Sequence, residues 1–485
     1  MEFNSLNFLL FFMITFAVYH LCYQKTKVKN IVLLVASYVF YGIADLKMIP
    51  VIAVMTIILY FLGVKIEKFL NDDNDQKAHK LAVFSAIIGL LPLFYFKYFG
   101  FSVESFAKLF STLGFNTEIS SFRILMPLGI SFFTFRLVSY VLEIGRRKMS
   151  AEKDFLSFAT YVAFFPCIMA GPIDRPNKFL PQLKTPRVLD SEFLTEGVRL
   201  FVWGWFTKVC IADRMGEYVD AIFGNYQDYG ALSIGIAALI YPLQMYADFS
   251  GYSNMAIGIG RLLGIEVAEN FRRPFFAQNV AEYWRRWHIS LTGWLTDYVF
   301  MPLNIKFRDY ANLGLIMAVI INLIAVGFWH GANWTFGFFG LYHGLLFIPL
   351  VLSGKMNKKT KITWIKGWLI SPQNFLKMAL TYCLVALGLV FFRAESIGVA
   401  FDTIGQCFTG LGAVCKEGGK LNIAVFMFSL MILCVKDYLD EGKFKFGILK
   451  TGEKVWFTNL QLIGLIIFIL IFRGDEVKEF IYMQF

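Results

Sequence analysis

The sequence predicts an all-α polytopic membrane protein, and three observations carry that expectation. Hydrophobic residues fill 57% of the 485 positions and only 17% are charged, with a mean hydropathy of +0.58. Soluble domains have roughly 45–50% apolar and about 25% charged residues. The apolar residues gather into runs near 5–23, 30–44, 47–66, 81–99, 122–142, 155–171, 193–213, 231–264, 311–330, 334–353, 372–392, 421–435 and 455–472. At about 1.5 Å rise per residue, most of these can cross a hydrocarbon core of about 30 Å. The lysines and arginines behind the net charge of +11 stand mainly in the short connections, which is a topology signal and not a nucleic-acid surface.

Taken in order, the first run has Glu2 before it, no basic leader and no small-residue cleavage pattern, so it is expected to stay as the first span. The runs 30–44 and 155–171 are short for full spans and read as re-entrant or broken segments. Basic clusters lie at Lys25, Lys27 and Lys29, at Lys65 to Lys80, at Arg146 to Lys153, at Arg175 to Arg187, at Arg272 to Arg308 and at Lys355 to Lys366. The connections 100–121, 214–230 and 394–420 are poorer in them. The positive-inside rule makes the basic connections cytoplasmic and puts both termini outside. That alternation requires two crossings within 30–66, with 155–171 and 288–305 entering and leaving on the cytoplasmic side. Neither an inverted repeat nor a low-complexity linker is evident, so residues 1–485 read as one integral membrane domain. The seven cysteines show no C-x-x-C or metal-ligand spacing. No metal site is expected, and Cys407 and Cys415 are expected to stay unpaired.

Three polar constellations interrupt this apolar chain. In the run 311–330 only Asn312 and Asn322 are polar before the segment arrives at His330, followed by Gly331, Ala332, Asn333 and Trp334. An imidazole at the end of a span is costly to keep and reads by default as functional; the alternative is a core histidine bonded to a neighbouring helix. His343 comes later, but Gly331 and Asn333 interrupt the pattern, so spacing does not bring the two histidines together. The second constellation runs from Glu282 to Tyr298. Trp284, Trp287, His288, Leu291, Trp294, Leu295 and Tyr298 share one face at helical spacing, Glu282 and Arg286 form an i, i+4 pair, and Arg285 and Arg286 can face an anionic donor. The expectation is one amphipathic helix at the cytoplasmic interface with His288 in a pocket wall; the alternative is a surface anchor. The third is Gln244, Asp248 and Tyr252 on one face of the run 231–264. Such a buried carboxylate needs a partner, expected to be an imidazole or an arginine, unless the group is interhelical hydrogen-bonding glue.

Several chemistries are excluded by absence of their motifs. The chain has no G-x-S-x-G elbow, no phosphate-binding G-x-x-x-x-G-K-[ST] and no H-E-x-x-H, and the H-x-x-x-x-D box of glycerolipid acyltransferases is missing at all five histidines. Histidine-centred proton transfer inside the membrane remains. A hydroxyl attacks well only as a base takes its proton, and a neutral imidazole suits that task.

Several blocks together carry a resemblance. They are Ala36-Ser-Tyr-Val-Phe-Tyr-Gly42, Met126-Pro-Leu-Gly-Ile-Ser-Phe-Phe-Thr-Phe135, Phe165-Pro166, Ala170-Gly-Pro172, Phe179-Leu-Pro-Gln-Leu183, Leu243 to Gly258, Glu269-Asn-Phe-Arg-Arg-Pro274, Glu282-Tyr-Trp-Arg-Arg-Trp-His-Ile-Ser-Leu291, Gly327-Phe-Trp-His-Gly-Ala-Asn-Trp334 and Phe392-Arg-Ala-Glu395. With them the chain resembles the membrane-bound O-acyltransferases, in particular the bacterial branch that acetylates exported polysaccharides such as alginate, which is related to the membrane protein of teichoic-acid D-alanylation. One departure is Pro302-Leu-Asn-Ile-Lys306, where a glycine-rich Pro-Leu-Gly-Gly-Asn segment is the family pattern.

The resemblance implies a ring of helices around a thin central region with re-entrant segments and a tunnel, in the cytoplasmic membrane. It implies His330 as catalytic base and His288 as the second catalytic position, where it holds the thioester or stabilises charge. Asp248, Trp329, Asn333, Trp287, Arg285, Arg286, Tyr252 and Gln244 would line or support the tunnel. The donor would be a cytoplasmic thioester, acetyl-CoA or an acyl carrier protein, with no resident cofactor. The final acceptor would be an exported polysaccharide, reached with an extracytoplasmic SGNH-type acetyltransferase or esterase partner. D-alanyl transfer to teichoic acid is the alternative within the same chemistry. A transporter or flippase using the histidines as proton relays, and a secretion scaffold, are the alternatives outside it.

Overall fold

The computed structural model describes residues 1–23, 25–114, 126–187, 190–416, 419–450, 454–474 and 478–481. Among these, eight helices are long and apolar enough to cross a membrane: Thr26–Asn71, Asp75–Thr112, Ala231–Leu262, Arg308–His330, Trp334–Leu352, Pro372–Arg393, Gly419–Glu441 and Val455–Phe472. The shorter apolar helix Leu6–Leu21 precedes them, and the protein is an all-α polytopic membrane protein. The one pair of strands, Trp364–Ile365 with Leu369–Ile370, is a two-residue hairpin among the described residues. Lys366 and Gly367 turn it with φ of 53° and 78°, the left-handed pair that a tight hairpin requires.

Chain contacts gather into two compact units, Met1–Val198 with Ala256–Ala268, and Arg199–Met255 with Glu269–Phe485. In the first, the run 30–44 proves to be part of a 20-residue helix, Thr26–Asp45. Hydropathy missed its first turn because that turn carries lysines, yet Lys29 is buried in the helix and donates to the Arg187 carbonyl at 2.5 Å. Lys29 is therefore a buried side chain and not part of an exposed basic connection. The connection expected over 100–121 instead begins with the helix Phe99–Thr112, and its residues 115–121 lie outside the described residues. The run 155–171 is broken as expected, into Phe155–Ala163 and Phe165–Ile168, with Phe164 between them in a non-helical conformation. The helix Ile130–Gly145 is almost wholly enclosed, with 14 of its 16 residues buried. Its Arg136 is wholly buried, donating to the Tyr161 carbonyl at 3.0 Å and pairing with Asp174 at 3.5 Å.

In the second unit, the helices Ala311–His330 and Trp334–Leu346 form a tight hairpin. Glycines make it tight. A Cβ on Gly327 would stand 2.0 Å from the Phe336 carbonyl oxygen, and one on Gly340 would stand 2.2 Å from that of Leu323. Backbone cannot yield as a flexible side chain does, so Gly327→Ala is expected to destabilise the protein by about 1–3 kcal/mol and lower its melting temperature in detergent. Gly235→Ala, where an added methyl meets nothing within 4 Å, should leave the melting temperature unchanged or slightly raised. Equal melting temperatures for the two variants would contradict this packing.

Candidate active site

The end of the Ala311–His330 helix is fixed by the turn that leads into its neighbour. Asn333 caps the next helix, its Oδ1 accepting from the Thr335 amide at 3.1 Å while its Nδ2 donates to the Glu395 carbonyl at 3.1 Å. Asn333 therefore closes the interhelical turn and holds His330 at the last helical position. His330 is 5% exposed. Its ring lies 5.0 Å from Trp329, 5.1 Å from Phe392 and 6.1 Å from His288, centroid to centroid. Trp329 also stands 5.5 Å from His288, so this indole touches both imidazoles.

His288 reaches this position by a break in the chain. The sequence predicts one amphipathic helix over 282–298, but the structure has two short helices, Val280–Arg286 and Ile289–Leu295, with Trp287 extended and His288 left-handed at φ 46°. The face drawn from Trp284 to Tyr298 therefore does not exist as one stripe. Tertiary bonds outweigh the helical periodicity here. The Arg272 amide donates to the Arg286 carbonyl at 2.9 Å, and the Ile289 amide to the Asn270 carbonyl at 2.9 Å. The Asn270 side chain also reaches in: its Oδ1 is 3.0 Å from His288 Nδ1 and 2.8 Å from the Ser290 hydroxyl. Phe249 closes the other side, with its ring 4.6 Å from the imidazole. Burial pushes the pKa of His288 down, to about 3, which keeps the ring neutral at physiological pH.

The other expected site residues divide. Trp287 is buried among Tyr283, Phe271 and Tyr246, and it braces the turn before His288. Arg286 is not free to meet a donor, because it pairs with Glu282 at 2.8 Å and with Glu441 at 2.8 Å, and Arg273 joins the same Glu441 at 2.7 Å. The i, i+4 pair is thus present, as one part of a four-charge clamp on the helix before His288. Arg285 remains exposed and donates to the Met356 carbonyl at 3.1 Å. It lines a cavity of about 400 Å³ together with Trp284, Ile289, Gly293, Val326, Met356 and others.

Asp248 takes neither an imidazole nor an arginine. Its partner is Lys208, at 2.7 Å with both side chains 1% exposed, and Lys208 also pairs with Asp213 at 2.9 Å. Gln244 lines a small polar pocket of about 60 Å³ with this group, and Tyr252 packs edge-on against Phe480 at 4.7 Å. Because successive helical residues point about 100° apart, Phe249 meets His288 while Asp248 turns to the lysine. His343 likewise packs with Trp284, Phe339 and Tyr342 and is not brought to His330. Sequence reasoning missed two residues, Asn270 and Lys208. The signal for Lys208 was available, as a lysine within the apolar run 193–213.

Comparison with known proteins fits this arrangement. The model of the membrane-bound O-acyltransferase family matches residues 33–392, a span that includes both imidazoles and ends on the phenylalanine packed against His330. The chain belongs to the membrane-bound O-acyltransferase family. Among related members of that family, the probable alginate O-acetylase of Azotobacter vinelandii is 34% identical over 446 residues, covering 90% of this chain and 84% of that protein. The peptidoglycan O-acetyltransferase of Helicobacter pylori is 30% identical over 414 residues, 79% of this chain and 74% of that protein. The teichoic acid D-alanyltransferase of Bacillus subtilis is 27% identical over 335 residues, 66% and 80% respectively. This membrane-bound O-acyltransferase is accordingly an acyltransferase.

Proposed function

We propose that this acyltransferase moves an acetyl group from a cytoplasmic thioester toward a hydroxyl of an exported polysaccharide, with His330 as general base and His288 beside it. The hydroxyl oxygen attacks the thioester carbonyl carbon while His330 takes its proton. The C–S bond then breaks, and the thiolate leaves and takes up the proton. One observation carries the reading: two enclosed imidazoles 6.1 Å apart stand beside a cavity lined by Ile289, next in the chain after His288, and by Val326, one turn before His330. Met356 and Asn357 line the same cavity, and their connection carries Lys355, Lys358, Lys359, Lys361 and Lys366 without an acidic residue from 353 to 371. By the positive-inside rule that mouth is cytoplasmic, which suits entry of acetyl-CoA or an acyl carrier protein in the cytoplasmic membrane, with both termini outside. Acetyl is favoured over D-alanine because the O-acetylating relatives match over 90% and 79% of this chain, against 48% and 66% for two D-alanyltransferases. An extracytoplasmic SGNH-type partner would complete delivery to the polymer.

Filling the cavity tests this. Gly293 lines it, and a Cβ there meets nothing within 4 Å, so Gly293→Trp projects an indole into the space without a clash at the backbone. The expected result is a fall of kcat/KM for the thioester by at least about tenfold, with the melting temperature unchanged. Unaltered kinetics in that variant would remove the cavity from the donor's path.

A further inference from the structure

The hydrogen bonds around Asn270 determine more than where His288 sits. The Ser290 backbone amide can only donate, and it points at Asn270 Oδ1 at 3.3 Å; the Ser290 hydroxyl reaches the same atom at 2.8 Å. The other end of the amide, Nδ2, donates to the Ser253 hydroxyl at 3.1 Å. An atom that accepts from a peptide N–H is the carbonyl oxygen, so this network fixes which way round the Asn270 amide lies. His288 Nδ1 stands 3.0 Å from that oxygen and can bond to it only by carrying a hydrogen. A neutral imidazole has a single N–H. Protonation at Nδ1 therefore leaves the lone pair on Nε2.

We propose that Asn270 is a positioning residue that locks His288 as the Nδ1–H tautomer, so that its Nε2 is a hydrogen-bond acceptor in the site. The inference rests on the reading of His288 as one of the reacting pair, and it narrows what the ring can do there. A lone pair cannot stabilise a thioester carbonyl or the oxyanion that forms from it, because both of these need a donor. It can accept from an N–H of His330, which leaves the other nitrogen of that ring to take the hydroxyl proton. The burial of Asn270, which has no exposed surface, and the left-handed backbone of His288 hold the pair in register. In a second contact the Ile289 amide donates to the Asn270 carbonyl at 2.9 Å, which ties the two backbones together and keeps the side chains within reach of each other. The arrangement obeys the general rule that the partner of one imidazole nitrogen sets the state of the other.

Two measurements test it. The first is two-bond ¹⁵N–¹H correlation on detergent-solubilised wild-type protein carrying ¹⁵N-labelled histidine, with His288 assigned by its loss in His288→Gln. The expected spectrum has a protonated Nδ1 and an unprotonated Nε2 for that ring; a protonated Nε2 would overturn the proposal, whatever reaction the protein performs. The second is kinetic. Asn270→Leu is expected to lower kcat about 100-fold with KM for the thioester unchanged, and Asn270→Asp, which keeps an acceptor oxygen for Nδ1–H, should recover at least about a tenth of the wild-type kcat. A loss in both variants with the wild-type tautomer as expected would leave the tautomer assignment standing and remove its role in the reaction. An inactive wild type with the Nδ1–H tautomer would count against the acyl-transfer reading alone.

Discussion

Replacing His330 by alanine is expected to lower acyl transfer by about 10²–10⁴-fold, the usual contribution of a general base, at an unchanged level of protein in the membrane. In cells the exported polymer would lose its acetyl esters. The reason lies in the surroundings of the ring. His330 is the last residue of its helix, packed between Trp329 and Phe392 and facing His288. Flanked by these rings and 5% exposed, the imidazole is the base at hand, and the methyl of alanine supplies none. The fold should survive, because the helix hairpin is held by the Asn333 cap and by the close approach at Gly327 and Gly340. Normal acetyl content in a His330→Ala strain would end the assignment of this ring as the base.

Breaking the Lys208 cluster should give the opposite pattern, with loss of protein and activity retained in whatever remains folded. Lys208→Ala removes the cation that stands 2.7 Å from Asp248 and 2.9 Å from Asp213. Two enclosed carboxylates are then left without it, and removal of one partner from a buried pair typically costs about 3–5 kcal/mol. Lys208 also donates to the Glu479 carbonyl at 3.0 Å, and Asp248 accepts from the Ile481 amide at 2.9 Å, so the same substitution frees the chain near its end. A steep drop in melting temperature and in the amount of protein in the membrane is expected. Asp248→Asn, which keeps an acceptor for the Ile481 amide, should cost less. Wild-type stability with abolished turnover in either variant would return Asp248 to the chemistry and contradict the structural role assigned to it.

How much of this was legible in the sequence depended on the kind of signal. The spans were legible because burial in lipid demands long apolar runs. The end of the span at residue 330 was legible, and the helix does end on His330; the cost of keeping a titratable ring there made it the candidate base. The break at His288 was not legible. Its aromatic spacing fits a helix, and the bonds that override it come from Asn270 and Arg272, more than ten residues upstream. Asp248 was recognisable as needing a partner, but periodicity says which residues share a face and nothing about which helix lies opposite. Lys208 therefore went unpaired with it, and the expected imidazole or arginine proved wrong. Arg285 and Arg286 look alike in sequence, yet one lines the cavity and the other is spent on Glu282 and Glu441.

The central claim is that an enclosed imidazole pair passes an acyl group from a thioester to a hydroxyl. Purified protein in proteoliposomes, given acetyl-labelled thioester and a soluble hydroxyl acceptor, tests it most directly. Labelled ester is expected with the wild type, and a fall of about 10²–10⁴-fold with His330→Ala. Equal ester formation by the two proteins, or none by a wild type shown to be folded, would contradict it.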